Sequence, residues 1–141
     1  MILKIDHKHL ELIKAYGLES YPNECCGFLL GKQNIGEKEV QSTLPAFNAR
    51  EGKEQYHRFL ITSRDYLQGE KFARERGMDI IGFYHSHPDA KARPSHYDLE
   101  HGWPWYSYLI VSVKKHNADE VTSWVLKEDR SQFTQEPIIV I

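Results

Sequence analysis

The sequence predicts an α/β or α+β layered domain built on a mixed β-sheet, a single unit over residues 1–141. Three observations carry this. Short apolar runs bounded by turn residues recur along the chain. Helical patterns stand between them. The later runs follow one another through short polar turns. A chain of 141 residues can bury a core without disulfides or a structural metal.

Each element follows from local chemistry. "ILKI" reads as a short first strand. Asp6 then caps a helix that carries Leu10, Ile13 and Leu18 and ends between Gly17 and Pro22. "CCGFLLG" is apolar and bounded by turn signals, so a buried strand is expected, followed by the polar turn "NIGEKE". "EVQSTLPAF" is the next strand, ending near Pro45. "NAREGKEQYH" is a loop, and "YHRFLIT" alternates as a strand. Ser63 is the expected N-cap of a helix through Arg76, with Gly77 as its stop. "DIIGFYH" is the most apolar strand, and a loop follows it. A short helix then starts at Ser95 and runs through His101. "WYSYLIVSV" and "VTSWVLK" pair around "KKHNADE", and "QFTQEPIIVI" adds a last strand.

Composition narrows the function classes. Hydrophobic residues make up 40% and charged residues 27%, as in soluble globular chains. The net charge is -2 and no lysine–arginine block occurs, so neither nucleic acid nor an anionic membrane surface is an expected partner. "MILKIDHKHL" is too short an apolar start for a signal peptide, and no run approaches the roughly 20 apolar residues of a membrane span. A cytoplasmic protein is expected. Cys25 and Cys26 are adjacent, which disfavours a disulfide between them. Two cysteines cannot make a four-thiolate zinc site.

"HSHPDAKARPSHYD", His85 to Asp98, concentrates metal-grade side chains directly after the most apolar strand. On an extended backbone His85 and His87 point to one face and can reach one ion. Neutral imidazoles suit zinc, and one carboxylate completes a three-ligand set with a fourth position for water. Asp98, on the first turn of a helix from Ser95, is the natural third ligand. Asp89, His96 and His101 compete for that place. Ser95 to Asp98 also reads as a capping box.

Taken together, His-x-His-Pro, six residues and Ser-x-x-Asp resemble the motif of the JAMM (MPN-plus) zinc metalloproteases. "NECCGFLLGK" is similar to that family's upstream element, with Glu24 in the glutamate position. The shortness of the chain resembles the small prokaryotic members. The resemblance implies an MPN/JAMM-like domain: a mixed curved sheet flanked by helices, with cytidine-deaminase-like layering. It implies one catalytic Zn2+ held by His85, His87 and Asp98. A zinc-held water is then the nucleophile, Glu24 the general base, and Ser95 the oxyanion donor. By family analogy Asn48 and His57 line the substrate groove. The implied activity is hydrolysis of an amide bond after the C-terminal tail of a ubiquitin-like or sulfur-carrier protein ending in Gly-Gly. The alternative is a catalytically silent scaffold of the same fold. A zinc deaminase would need a downstream Cys-x-x-Cys pair, which is absent from the sequence.

Overall fold

The computed structural model describes residues 1–46 and 61–141. In chain order these form β1 (Ile2–Ile5), α1 (His7–Ser20), β2 (Cys26–Asn34), β3 (Glu37–Ala46), α2 (Ser63–Glu75), β4 (Asp79–Pro88), α3 (His96–His101), β5 (Ser107–Val113), β6 (Val121–Leu126), β7 (Phe133–Glu136) and β8 (Ile138–Val140). The strands make one mixed sheet in the order β7-β6-β5-β4-β2-β3-β1-β8. β4 runs parallel to β5, and β1 runs parallel to both β3 and β8. The other pairs are antiparallel.

The expected last strand is in fact two. Pro137 lacks the N–H that would continue a ladder, and it separates β7 from β8. β7 pairs with β6 at one edge of the sheet, and β8 pairs with β1 at the other. One residue cannot bridge the width of a flat eight-stranded sheet, so the sheet curls until its edges meet. Two bulges sharpen that curl. Gln41 of β3 and Ile81 of β4 have no residue opposite them on β2, where the registers jump. The β4 bulge also explains a spacing of three in the burial pattern. Ile81 and Tyr84 face one core cluster, while Ile80 and Phe83 face the other.

α1 packs Leu10 and Ile13 onto one side, against Leu29, Tyr84, Leu109 and Val113. Asp6 caps it as expected, accepting from His9 N–H. α2 covers the other side, with Ala73 and Phe72 against Phe28, Leu30 and Phe83. Its N-cap is Thr62, not Ser63. Thr62 accepts from Asp65 N–H and Asp65 answers to the Thr62 backbone, a complete capping box, whereas the residue three after Ser63 is Tyr66. Gly77 takes φ +70 at the helix end, a left-handed conformation that suits glycine. Most of the strand expected over 56–62 lies outside the described residues. β4, covered on both sides, is buried along almost its whole length. It also runs through Pro88, three residues past the apolar run, so His85 and His87 both lie on the extended backbone their spacing calls for.

Candidate metal centre and active site

Because His85 and His87 sit two apart on an extended strand, both rings leave β4 on one side. α3 supplies the facing group. Ser95 caps it by accepting from Asp98 N–H at 3.1 Å, and Ser95 N–H donates back to Asp98 Oδ2 at 2.8 Å. The same Oδ2 lies 3.3 Å from the Nε2 atoms of both histidines, which are 3.1 Å from each other. One carboxylate therefore serves as helix cap and as the third corner of a compact buried triangle.

His87 Nδ1 lies 2.9 Å from the Lys91 carbonyl oxygen. A carbonyl only accepts, so Nδ1 carries a proton, which in the neutral ring leaves the Nε2 lone pair to face the triangle. Burial pushes the His85 ring below its ordinary value, against the pull of Asp98. Burial alone would push the Asp98 carboxyl up. Attraction to His85, hydrogen bonds with both histidines and the Ser95 N–H outweigh it and hold Asp98 well below the carboxylate range. Neutral imidazoles and an ionised carboxylate are the protonation states a metal requires. Such acceptors face one another in a buried place only if protons or a cation lie between them. In tetrahedral zinc sites with ligands at about 2.0–2.1 Å, neighbouring ligand atoms lie about 3.3 Å apart. The edges of this triangle, 3.1 and 3.3 Å, fit that requirement.

Glu24 stands just before β2, where Cys26 pairs with His85. It is only 5% exposed, and with His85 and His87 it forms a group whose ligand-type atoms all lie within 4.8 Å. Of the five residues singled out from the motif and its upstream element, Glu24, His85, His87 and Asp98 are thus together, and Ser95 caps the helix that carries Asp98.

The competing donors are engaged elsewhere. Asp89 accepts from the Tyr21 hydroxyl at 2.8 and 3.0 Å, His96 pairs with Glu100, and His101 stacks on Tyr97. Asn48 and His57 lie outside the described residues. A groove of about 850 Å³ opens beside Asp98, walled by Tyr66, Phe83, Tyr97, Trp103 and Tyr106.

Some supports are not visible in the motif. The segment between the two halves is pinned to β5 and its neighbours. The Ser112 hydroxyl donates to Ala90 O, Ala92 N–H donates to Glu120, and the Thr122 hydroxyl donates to Ala92 O. Nothing near Ala90 in the sequence signals these partners, because they come from other strands.

A curled mixed sheet with this pair of histidines on its central strand and a capped aspartate facing them defines a JAMM/MPN-type domain. Residues 6–127 match the family of prokaryotic homologs of the JAB domain, and the chain belongs to that family. It is 37% identical over 93 residues to a desampylase of Haloferax volcanii, covering 64% of this chain and 63% of the relative, just under two thirds of its length. It is 29% identical over 119 residues to a desampylase of Pyrococcus furiosus, covering 83% of this chain and 76% of that one. A solution structure of a Desulfitobacterium hafniense protein superposes with a TM-score of 0.86 at 29% identity, covering 99% of this chain and 92% of that one.

Proposed function

We propose that this chain is a zinc-dependent metallopeptidase or isopeptidase. It hydrolyses the amide bond that follows the C-terminal tail of a ubiquitin-like protein, a sulfur carrier ending in Gly-Gly being the candidate. The observation that carries the reading is the triangle of His85, His87 and Asp98 with buried Glu24 beside it. The names of the Haloferax and Pyrococcus relatives support the substrate class.

In this reading His85, His87 and Asp98 would hold the ion, and zinc, when bound, would supply the Lewis acidity that makes water a nucleophile near neutral pH. Glu24 would accept a proton from the attacking water and hand it to the nitrogen of the amide as its bond to the carbonyl carbon breaks. The Ser95 oxygen already accepts from Asp98 N–H, and among the described residues its own hydroxyl proton goes to no acceptor, so it can donate to a developing oxyanion. An extended tail suits a sheet edge, which binds main chain irrespective of side chain. Among the described residues, β3 beyond Val40 is paired only with β2, and its Ala46 end is level with Cys26 and His85.

Zinc content and mass spectrometry of a Gly-Gly carrier bearing a C-terminal peptide extension test the reading together. The wild-type protein should carry one zinc and trim the carrier. Glu24→Gln should keep the zinc and lose at least about 10²-fold in turnover. Undiminished turnover in Glu24→Gln would sink the assignment.

A further inference from the structure

The structure assigns Ser86, the residue between the two histidines, as the positioning residue for Glu24. Ser86 is fully buried and points away from the triangle, so it touches neither the ligand atoms nor the groove. Its contacts are with the Glu24 segment. Cys26 pairs with His85, so the next pair of a regular antiparallel ladder is Cys25 with Ser86, exchanging two backbone bonds. One of these is present, Ser86 N–H to Cys25 O at 3.1 Å. The Cys25 N–H instead goes to the Ser86 hydroxyl, at 2.8 Å.

The substitution has a geometric purpose. A backbone bond from Cys25 to the Ser86 carbonyl would hold β2 flat against β4. The hydroxyl stands off the backbone, so the chain can leave the ladder at Cys25 with its N–H still satisfied. Glu24 is the next residue, and its carboxylate lies within 4.8 Å of the imidazole nitrogens. Ser86 is itself fixed from below. A Cβ on Gly17 of α1 would stand 3.6 Å from the Ser86 Cβ and 2.8 Å from Val113, so α1 closes directly beneath it. A second tie, Tyr21 hydroxyl to Asp89, joins the end of α1 to the residue just past β4. The base and the ligands are thus held as one rigid body through a serine that does no chemistry.

This rests on Glu24 being the base, and the tests separate the two claims. Ser86→Ala, in zinc-loaded protein with the extended carrier, should lower kcat by about 10- to 10²-fold with KM and zinc content unchanged. Ser86→Thr, which keeps the hydroxyl, should restore most of it. In the metal-free protein, amide exchange by NMR should show the Cys25 N–H losing protection in Ser86→Ala while the amides of β5 keep theirs. Loss of zinc in Ser86→Ala would overturn the assignment, because Ser86 would then act through the ligands. Wild-type kcat in Ser86→Ala, alongside an inactive Glu24→Gln, would overturn it while leaving the base in place. An active Glu24→Gln would overturn both.

Discussion

Asp98 has two duties that mutation can separate. Removing the Ser95 side chain deletes one half of the capping box but leaves Asp98 Oδ2 held by the Ser95 backbone N–H. Removing the Asp98 side chain deletes the other half and one corner of the triangle. An N-cap interaction is worth about 1 kcal/mol, so in the presence of a chelator Ser95→Ala and Asp98→Ala should lose similar stability. For a domain of this size that is about 4 °C in Tm. Free zinc at 100 times its dissociation constant stabilises a folded site by about 2.7 kcal/mol, or about 10 °C on the same scale. Ser95→Ala should keep nearly all of that zinc-dependent rise. If losing a ligand weakens affinity by ~100-fold, Asp98→Ala at the same zinc concentration should rise by only about 2 °C. The assay is thermal unfolding by circular dichroism, with chelator and then at fixed free zinc, for the three proteins. A full zinc-dependent rise in Asp98→Ala, or its loss in Ser95→Ala, would refute the division of roles.

Two further outcomes test the scaffold. Gly82 leaves no room for a side chain, because a Cβ there would lie 2.2 Å from the Ser107 carbonyl oxygen on β5. Gly82→Ala should therefore cost about 3 kcal/mol or more in chemical denaturation, while Gly36→Ala, at φ +76 with open space around it, should cost about 1. Equal losses would show that the β4–β5 approach yields easily. Lys38 crosses from β3 to donate to Ser107 Oγ and Trp105 O, and burial, against the pull of Glu136, brings its amine down to about 8. The unfolded chain then holds more protons than the folded one from about pH 8 to 10.5, so this group's contribution rises with pH there and is lost as pH falls to 8. The stability of wild type minus Lys38→Met should grow by about 3 kcal/mol between pH 7 and pH 10. A flat difference would mean that the buried amine titrates normally.

How much of this was legible depends on how local each cause is. The Asp6 cap, the Ser95 cap and the two-residue spacing of His85 and His87 are local, and the sequence shows them directly. The Thr62 cap is legible through Asp65 three residues on, but Ser63 is an equally good N-cap residue by type, and only the acid at the third position separates the two. The end of β4 was legible only through the spacing of His85 and His87. Ser86, His87 and Pro88 look like loop because they are polar or break helices, yet they pair with Val111, Ser112 and Val113 across a parallel ladder. Partners from distant strands override local pattern there. Likewise "QFTQEPIIVI" reads as one last strand, and only the pairing with β6 and β1 shows two strands at opposite edges. The positioning serine lay inside the motif, but its contact with Cys25 is 61 residues away in sequence.

The closure of the sheet through Pro137 sets the order in which this molecule can assemble. β5 and β6 meet by joining positions as near as 111 and 121, whereas β1 and β8 join 3 to 138. Bringing together ends about 135 residues apart costs roughly 2 kcal/mol more chain entropy than closing a ten-residue turn. The β1–β8 seam is thus the contact that the chain gains least by making early, and in such topologies the long-range pairings set the pace. β4 and the strands on either side of it can come together well before the seam shuts. The triangle can take shape in a sheet that is still open, and the seam then locks an arrangement already made.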